Sequence, residues 1–88
     1  MSETVLLQVV SPERVLVEEQ VSEVQVPALD GFLGVLPGHA ALVSELKPEG
    51  ILTYRSGGHD REIAVFGGFV EVLPDRVRIL ADRAETKV

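Results

Sequence analysis

Glycine and proline interrupt this chain at intervals of roughly 8–12 residues, and the stretches between them are built largely on valine. Fifteen residues are Val and three are Ile, against three Phe, one Tyr and no Trp. Branching at Cβ costs rotamer freedom in a helix and suits a pleated surface, so this bias favours strands. No stretch sustains the 3.6-residue apolar period of a packed helix. The expected class is all-β, an antiparallel sandwich or a small barrel.

The densest break is Asp30-Gly31-Phe32-Leu33-Gly34-Val35-Leu36-Pro37-Gly38-His39-Ala40. Three glycines and a proline sit among apolar side chains, where a flexible linker would carry serines and charges. Glycine allows positive φ and proline fixes φ, so the backbone bends while Phe32, Leu33, Val35 and Leu36 still seek burial. The segment reads as a compact sheet corner whose apolar residues pack on the sheet or on a partner.

Around that corner the chain reads as strands. Residues 5–10 form a short apolar run, buried on much of both faces and ended by Ser11-Pro12-Glu13. The chain resumes over 14–21, where Glu18-Glu19-Gln20 suggests a solvated bend or bulge. Glu23-Val24-Gln25-Val26 alternates, with one wet face and one core face, and Pro27 closes it. Lys47-Pro48-Glu49-Gly50 is a turn. Strands at 51–54 and 63–66 pair across a hairpin tip spanning 55–60. Gly67-Gly68 breaks the chain before 69–73, where Val70 and Val72 share one face and Glu71 takes the other. Pro74-Asp75 turns into 76–81, with Val77, Ile79 and Ala81 inward. Residues 82–88 are polar and are expected to fray.

Eighty-eight residues make one domain with a small core, to which a partner would add stability. The formal net charge is −6, and residues 1–30 carry six acids against Arg14 alone. That balance argues against phosphate-backbone binding and against anionic lipid. No cysteine is present, so disulfides and thiolate metal sites are excluded and a reducing compartment is permitted. The first residues lack the basic and apolar regions of a signal peptide, and no apolar run approaches the length of a membrane span. The expectation is a soluble protein that meets a membrane only through something else.

Candidate chemistry is sparse. A zinc or catalytic site wants several converging ligands, whereas His39 and His59 lie far apart in sequence. His59 reads as a solvated tip residue, and His39 as a structural hydrogen-bonding residue or a partner contact. Ser11 and Ser44 lack a strand-elbow-helix setting for a nucleophile. Glu18, Glu19 and Glu23 lack the spacing of a calcium loop. Gly57-Gly58 and Gly67-Gly68 lack the lysine and helix N-terminus of a phosphate cradle. Three readings stand at this point: an assembly protein, a sandwich module for a peptide or sugar, and a cupin-type barrel enzyme. The second would want exposed aromatics at a cleft, and the third a histidine cluster.

Five segments then occur together and in order: Val9-Val10-Ser11-Pro12-Glu13, residues 31–40, Leu46-Lys47-Pro48, Gly67-Gly68-Phe69-Val70-Glu71-Val72, and Val77-Arg78-Ile79-Leu80-Ala81-Asp82. This set resembles the amino-terminal domain of the epsilon subunit of bacterial and chloroplast F-type ATP synthase, called delta in mitochondria. The resemblance covers nearly the whole chain. It implies a flattened two-sheet antiparallel β-sandwich of about ten short strands over residues 1–84, with 85–88 as a tail. It implies a non-catalytic rotor subunit at the foot of the central stalk, linking the gamma subunit to the c-ring during proton-driven ATP synthesis. No cofactor or metal is expected. The location implied is peripheral, on the cytoplasmic face of the bacterial plasma membrane or the stromal face of a thylakoid.

By position, the resemblance puts Ser11, His39 and Ser44 on the side that meets gamma, and Gly31, Phe32 and Leu33 in the loop that faces the ring. Many relatives carry a polar or charged residue where this chain has Phe32. The family usually continues into a helical hairpin that inhibits ATP hydrolysis. This chain stops at Ala84-Glu85-Thr86-Lys87-Val88, so no C-terminal helical hairpin and no self-contained inhibitory switch are expected of it.

Overall fold

The computed structural model describes residues 3–86. Eight strands follow one another: β1 (Val5–Val10), β2 (Val15–Val21), β3 (Glu23–Ala28), β4 (Gly31–Val35), β5 (Leu42–Glu45), β6 (Gly50–Ser56), β7 (His59–Leu73) and β8 (Arg76–Thr86). No helix forms among the described residues. The hydrogen-bonded order is β2-β1-β8-β7-β6-β3-β4, with β5 added to β7.

Two layers arise because β7 and β8 each serve both. Residues 69–72 of β7 pair with β5, and residues 59–65 pair with β6. Residues 76–80 of β8 pair with β1. One layer is therefore β2-β1-β8-β7-β5, and the other is β8-β7-β6-β3-β4. The ribbon of β7 and β8 keeps a single register from Ile63↔Thr86 to Leu73↔Arg76 and folds at Gly67-Gly68. This corrects the expected strand count of about ten. The glycines bend a strand that was expected to break there, so two long strands do the work of four.

The bend has a second effect. Buried side chains fall at Ile63 and Val65 before it and at Val70 and Val72 after it, a change of parity. A regular strand alternates strictly, so an irregular residue must intervene. Gly67 and Gly68 have φ of 69° and 114°, which L side chains rarely adopt. Opposite them, β8 switches from Val77, Ile79 and Ala81 to Ala84. The corner is stitched to the neighbouring chain: the Gly67 amide donates to the Lys47 carbonyl, and the Leu46 amide to the Gly68 carbonyl, both at 2.9 Å. Lys47 also donates to the Pro27 carbonyl, and Leu46 bridges Ala28. Residues 45–47 thus tie the two layers together.

Apolar side chains from both layers meet between them, with Leu7, Leu52, Ile63 and Ile79 fully buried. No polar or charged residue is buried among those described. The core is therefore held by packing and area removed from water.

Several other expectations change. The sheet is not wholly antiparallel, because β1 and β8 run parallel. Such a pair needs a long connection, and here the rest of the sandwich supplies it. β1 buries one face only, through Val5, Leu7 and Val9. Glu18, Glu19 and Gln20 lie within a continuous β2, and the register slips instead at Val10–Val15, which leaves Leu16 extra. The glycine-rich corner is mostly the edge strand β4, paired with β3, and Phe32 and Leu36 stay exposed at 64% and 60%. The hairpin tip is two residues, Gly57-Gly58, both at positive φ, so the strands extend to Ser56↔His59 and Tyr54 lies across from Arg61. Residues 82–86 do not fray: β8 continues against β7 and buries Ala84. Residues 87–88 lie outside the described residues.

Candidate interaction surface

The surface of interest begins with the parity of β7 and β8. Since Val70 and Val72 point inward, Phe69 and Glu71 must point outward; likewise Arg78 and Leu80 on β8. Register then assembles a row across four strands. Val15 lies opposite Val10, Val10 opposite Leu80, and Leu80 opposite Phe69. Directly opposed side chains stand about 4.5–5.5 Å apart at Cβ, so the four form one apolar stripe. Val15, Phe69 and Leu80 are exposed at 58%, 51% and 45%. Contiguous valine, leucine and phenylalanine on one outer face make that face a candidate docking surface.

The flanks of the stripe are charged. Glu45 lies opposite Phe69 at one end. The parallel row beyond it is Glu18-Gln8-Arg78-Glu71-Val43. That row largely satisfies itself: Gln8 Nε2 donates to Glu18 Oε2 at 2.8 Å, and Arg78 Nη1 lies 3.8 Å from Glu71 Oε1. Val43 stands 70% exposed on the edge strand.

The structure spreads the residues singled out from sequence. Ser11 borders the stripe, in a shallow depression with Val10, Pro12, Phe69 and Leu80. Its hydroxyl closes a turn, accepting from the Glu13 amide at 3.3 Å and donating to the Arg14 carbonyl at 3.4 Å. His39 sits at the opposite end of the same layer, roughly 20 Å away at about 3.3 Å per strand residue. Its Nδ1 lies 2.7 Å from the Ala40 carbonyl, which places the proton there, and its amide donates to Leu36. The Gly38 amide bonds the Pro74 carbonyl, so the 36–41 loop is pinned to the β7–β8 turn. Ser44 pairs with Val70 and so shares its inward side at the open edge. There it lines a depression with Gly31, Phe32, Leu33, Leu42 and Val43. Ser44 therefore lies with the β4 residues rather than with Ser11 and His39.

Phe69, Leu80, Val15 and Val43 were missed as surface candidates. The signal was present, since Phe69 shares the parity of Glu71, and Leu80 that of Arg78. Among the described residues no three His, Cys, Asp or Glu side chains gather as a metal group. No helix of the described residues is long and apolar enough to cross a membrane.

The other outer face is polar. Arg55 Nε meets Asp60 Oδ1 at 2.9 Å, and this hydrogen bond, then the guanidinium charge, holds the Asp60 carboxyl below its usual value. A depressed value means that the pair's stabilisation is full above the unfolded carboxyl's pKa. It is lost as pH falls through the folded one. Both groups are exposed, so the effect is small. Asp60→Asn is expected to lower Tm slightly at pH 7 and progressively less as the pH falls below the ordinary carboxyl value of 3.8, which paired thermal melts check.

Residues 4–87 match the family described as the ATP synthase delta/epsilon chain β-sandwich domain. The ATP synthase epsilon chain of Solibacter usitatus is 61% identical over 85 residues, covering 97% of this chain and 63% of that one. The epsilon chain of Rhodospirillum rubrum is 49% identical over 84 residues, covering 96% and 63%. The chain thus spans less than two thirds of the length of these curated relatives. Among solved structures, a chain of the Euglena gracilis mitochondrial ATP synthase, in an OSCP/F1/c-ring assembly, superposes with a TM-score of 0.86 at 28% identity. It is covered over 53% of its length by 94% of this chain. A chain of the Tetrahymena thermophila central stalk and c-ring shares the fold, with a TM-score of 0.78 at 15% identity, over 97% of this chain and 68% of that one.

Proposed function

This chain belongs to the β-sandwich family of ATP synthase delta and epsilon chains, and from that membership we propose that it is a non-catalytic rotor-stalk subunit of an F-type ATP synthase. Its task is to link the gamma subunit to the c-ring so that rotation of one turns the other. The observation that carries the proposal beyond membership is the apolar stripe of Val15, Val10, Leu80 and Phe69 on one outer face, with Ser11 beside it. Gamma covers that face, reaching Ser11 at one end and His39 at the other. The β3–β4 end, with Gly31, Phe32 and Leu33, points at the ring. Ser44, on the open edge between the two, meets gamma where gamma closes that edge.

The architecture suits a mechanical part. Torque across a soft joint would be lost as local deformation, whereas a close-packed interior transmits strain. Both layers share β7 and β8, and residues 45–47 bind one layer to the other through backbone hydrogen bonds. The non-catalytic reading is supported by the dispersal of Ser11, His39 and Ser44 over the rim. Attachment to the cytoplasmic face of a membrane follows from the partners and needs no insertion of this domain.

The test is capture of purified gamma by this chain, compared with a His39→Ala, Ser44→Arg double variant. The parent is expected to bind gamma one to one and the double variant more weakly. Equal binding by both removes these two residues from the interface, and failure of the parent to bind gamma removes the function.

A further inference from the structure

The β3–β4 end holds a cation that the rest of the fold does not use. Lys47 follows β5, and its backbone is fixed at both ends: the amide donates to Pro27, and the carbonyl accepts from Gly67. Its ammonium lies 5.5 Å from the centroid of the Phe32 ring. Phe32 is itself 64% exposed on the edge strand β4. A cation over an exposed ring face at this distance is weakly attracted by the ring quadrupole, which biases the ammonium towards Phe32. Lys47 makes no salt bridge among the described residues.

The same ring walls a depression of about 370 Å³. Its lining includes Ala28, Leu33, Leu42 and Val43, and it opens between the edges of the two layers. An apolar recess and a cation therefore share one aromatic wall. Glu45 and Glu49 stand two residues to either side of Lys47 in sequence, and the chain carries a net charge of −6. The net charge disfavours an approaching carboxylate, and Lys47 is the cation that meets one at the Phe32 wall of this recess. Such a pattern fixes register as well as affinity.

We propose that this end docks a loop of the ring that presents an apolar side chain to the recess and a neighbouring carboxylate to Lys47. The inference rests on the proposed orientation of the β3–β4 end towards the ring. It adds the chemistry of the contact: Phe32 positions Lys47, and Lys47 pairs with the acid. The aromatic ring thus does, by holding a charge, what a charged residue at that position would do directly.

The experiment uses the whole chain and the ring-bearing complex stripped of this subunit. The chain has no cysteine, so Asp30→Cys carries a single photo-crosslinker. Rebinding is measured at low and high salt for the parent, Lys47→Gln, Lys47→Arg and Phe32→Leu, each with a thermal melt to confirm folding. Lys47→Gln is expected to weaken rebinding about tenfold at low salt and to flatten its salt dependence. Lys47→Arg should restore most of the affinity, and Phe32→Leu should fall between. A crosslink to the ring together with unchanged rebinding and salt dependence in Lys47→Gln overturns the carboxylate contact and leaves the orientation standing. A crosslink that forms only with gamma overturns the orientation, and the contact falls with it.

Discussion

Gly68→Ala is expected to remove most of the stability of this domain. Gly68 has φ of 114°, and a Cβ built there would come within 2.9 Å of the Ala81 Cα as well as meeting the Leu80 carbonyl. Holding a non-glycine residue in such a region costs about 1–3 kcal/mol. The obstructing atoms are backbone in the paired strand, so no side chain can swing aside, and relief means opening the β7–β8 ribbon. A total near 4 kcal/mol corresponds to a Tm roughly 15–30 °C lower for a domain of this size. Gly57→Ala is the control: its φ is 57° with open space around it, so the cost is about 1–2 kcal/mol. Thermal melts followed by far-ultraviolet circular dichroism check both. A fall in Tm for Gly68→Ala no larger than that for Gly57→Ala would show that the corner tolerates a side chain.

The same corner explains where the sequence could and could not be read. Local signals were sufficient for local structure. Alternation in 23–26, 69–73 and 76–81 identified buried faces correctly, and Gly57-Gly58 marked a hairpin. A Gly-Gly pair, however, serves equally well to end a strand or to fold one through a corner. Which occurs depends on whether the far side finds a partner, and for 82–86 that partner is the first half of β7. The parallel pairing of β1 with β8 joins residues some seventy positions apart, for example Leu6 with Arg76. No periodicity within either segment specifies it. Glu18 and Glu19 suggested a bend because charge reads as exposure, yet a sheet with one wet face accommodates both in a regular strand. Function was legible only as a family resemblance. The composition of Ser11, His39 and Ser44 carries no chemistry specific to a rotor, and the stripe becomes visible only when four strands are set in register.

Phe69→Glu combined with Leu80→Glu is expected to abolish gamma binding while leaving the fold nearly intact. Both side chains stand about half exposed on the outer face, so folding recovers little from their burial. The two are directly opposed, and Glu45 already faces Phe69 from the edge strand. Two further carboxylates there would place three negative charges on neighbouring positions. At a free surface water screens that arrangement, and Tm should fall by about 5 °C or less. Beneath a partner the same charges are desolvated without a counter-ion, which is among the largest penalties an interface can carry. Loss of two central apolar contacts with that penalty added predicts an affinity more than about 100-fold weaker. Thr53→Glu, on the polar outer face of the other layer, should bind as the parent does. Titration of gamma with each variant decides the matter. Weakening by Thr53→Glu with parent-like binding by the double variant would place gamma on the opposite layer and leave the apolar stripe to another subunit.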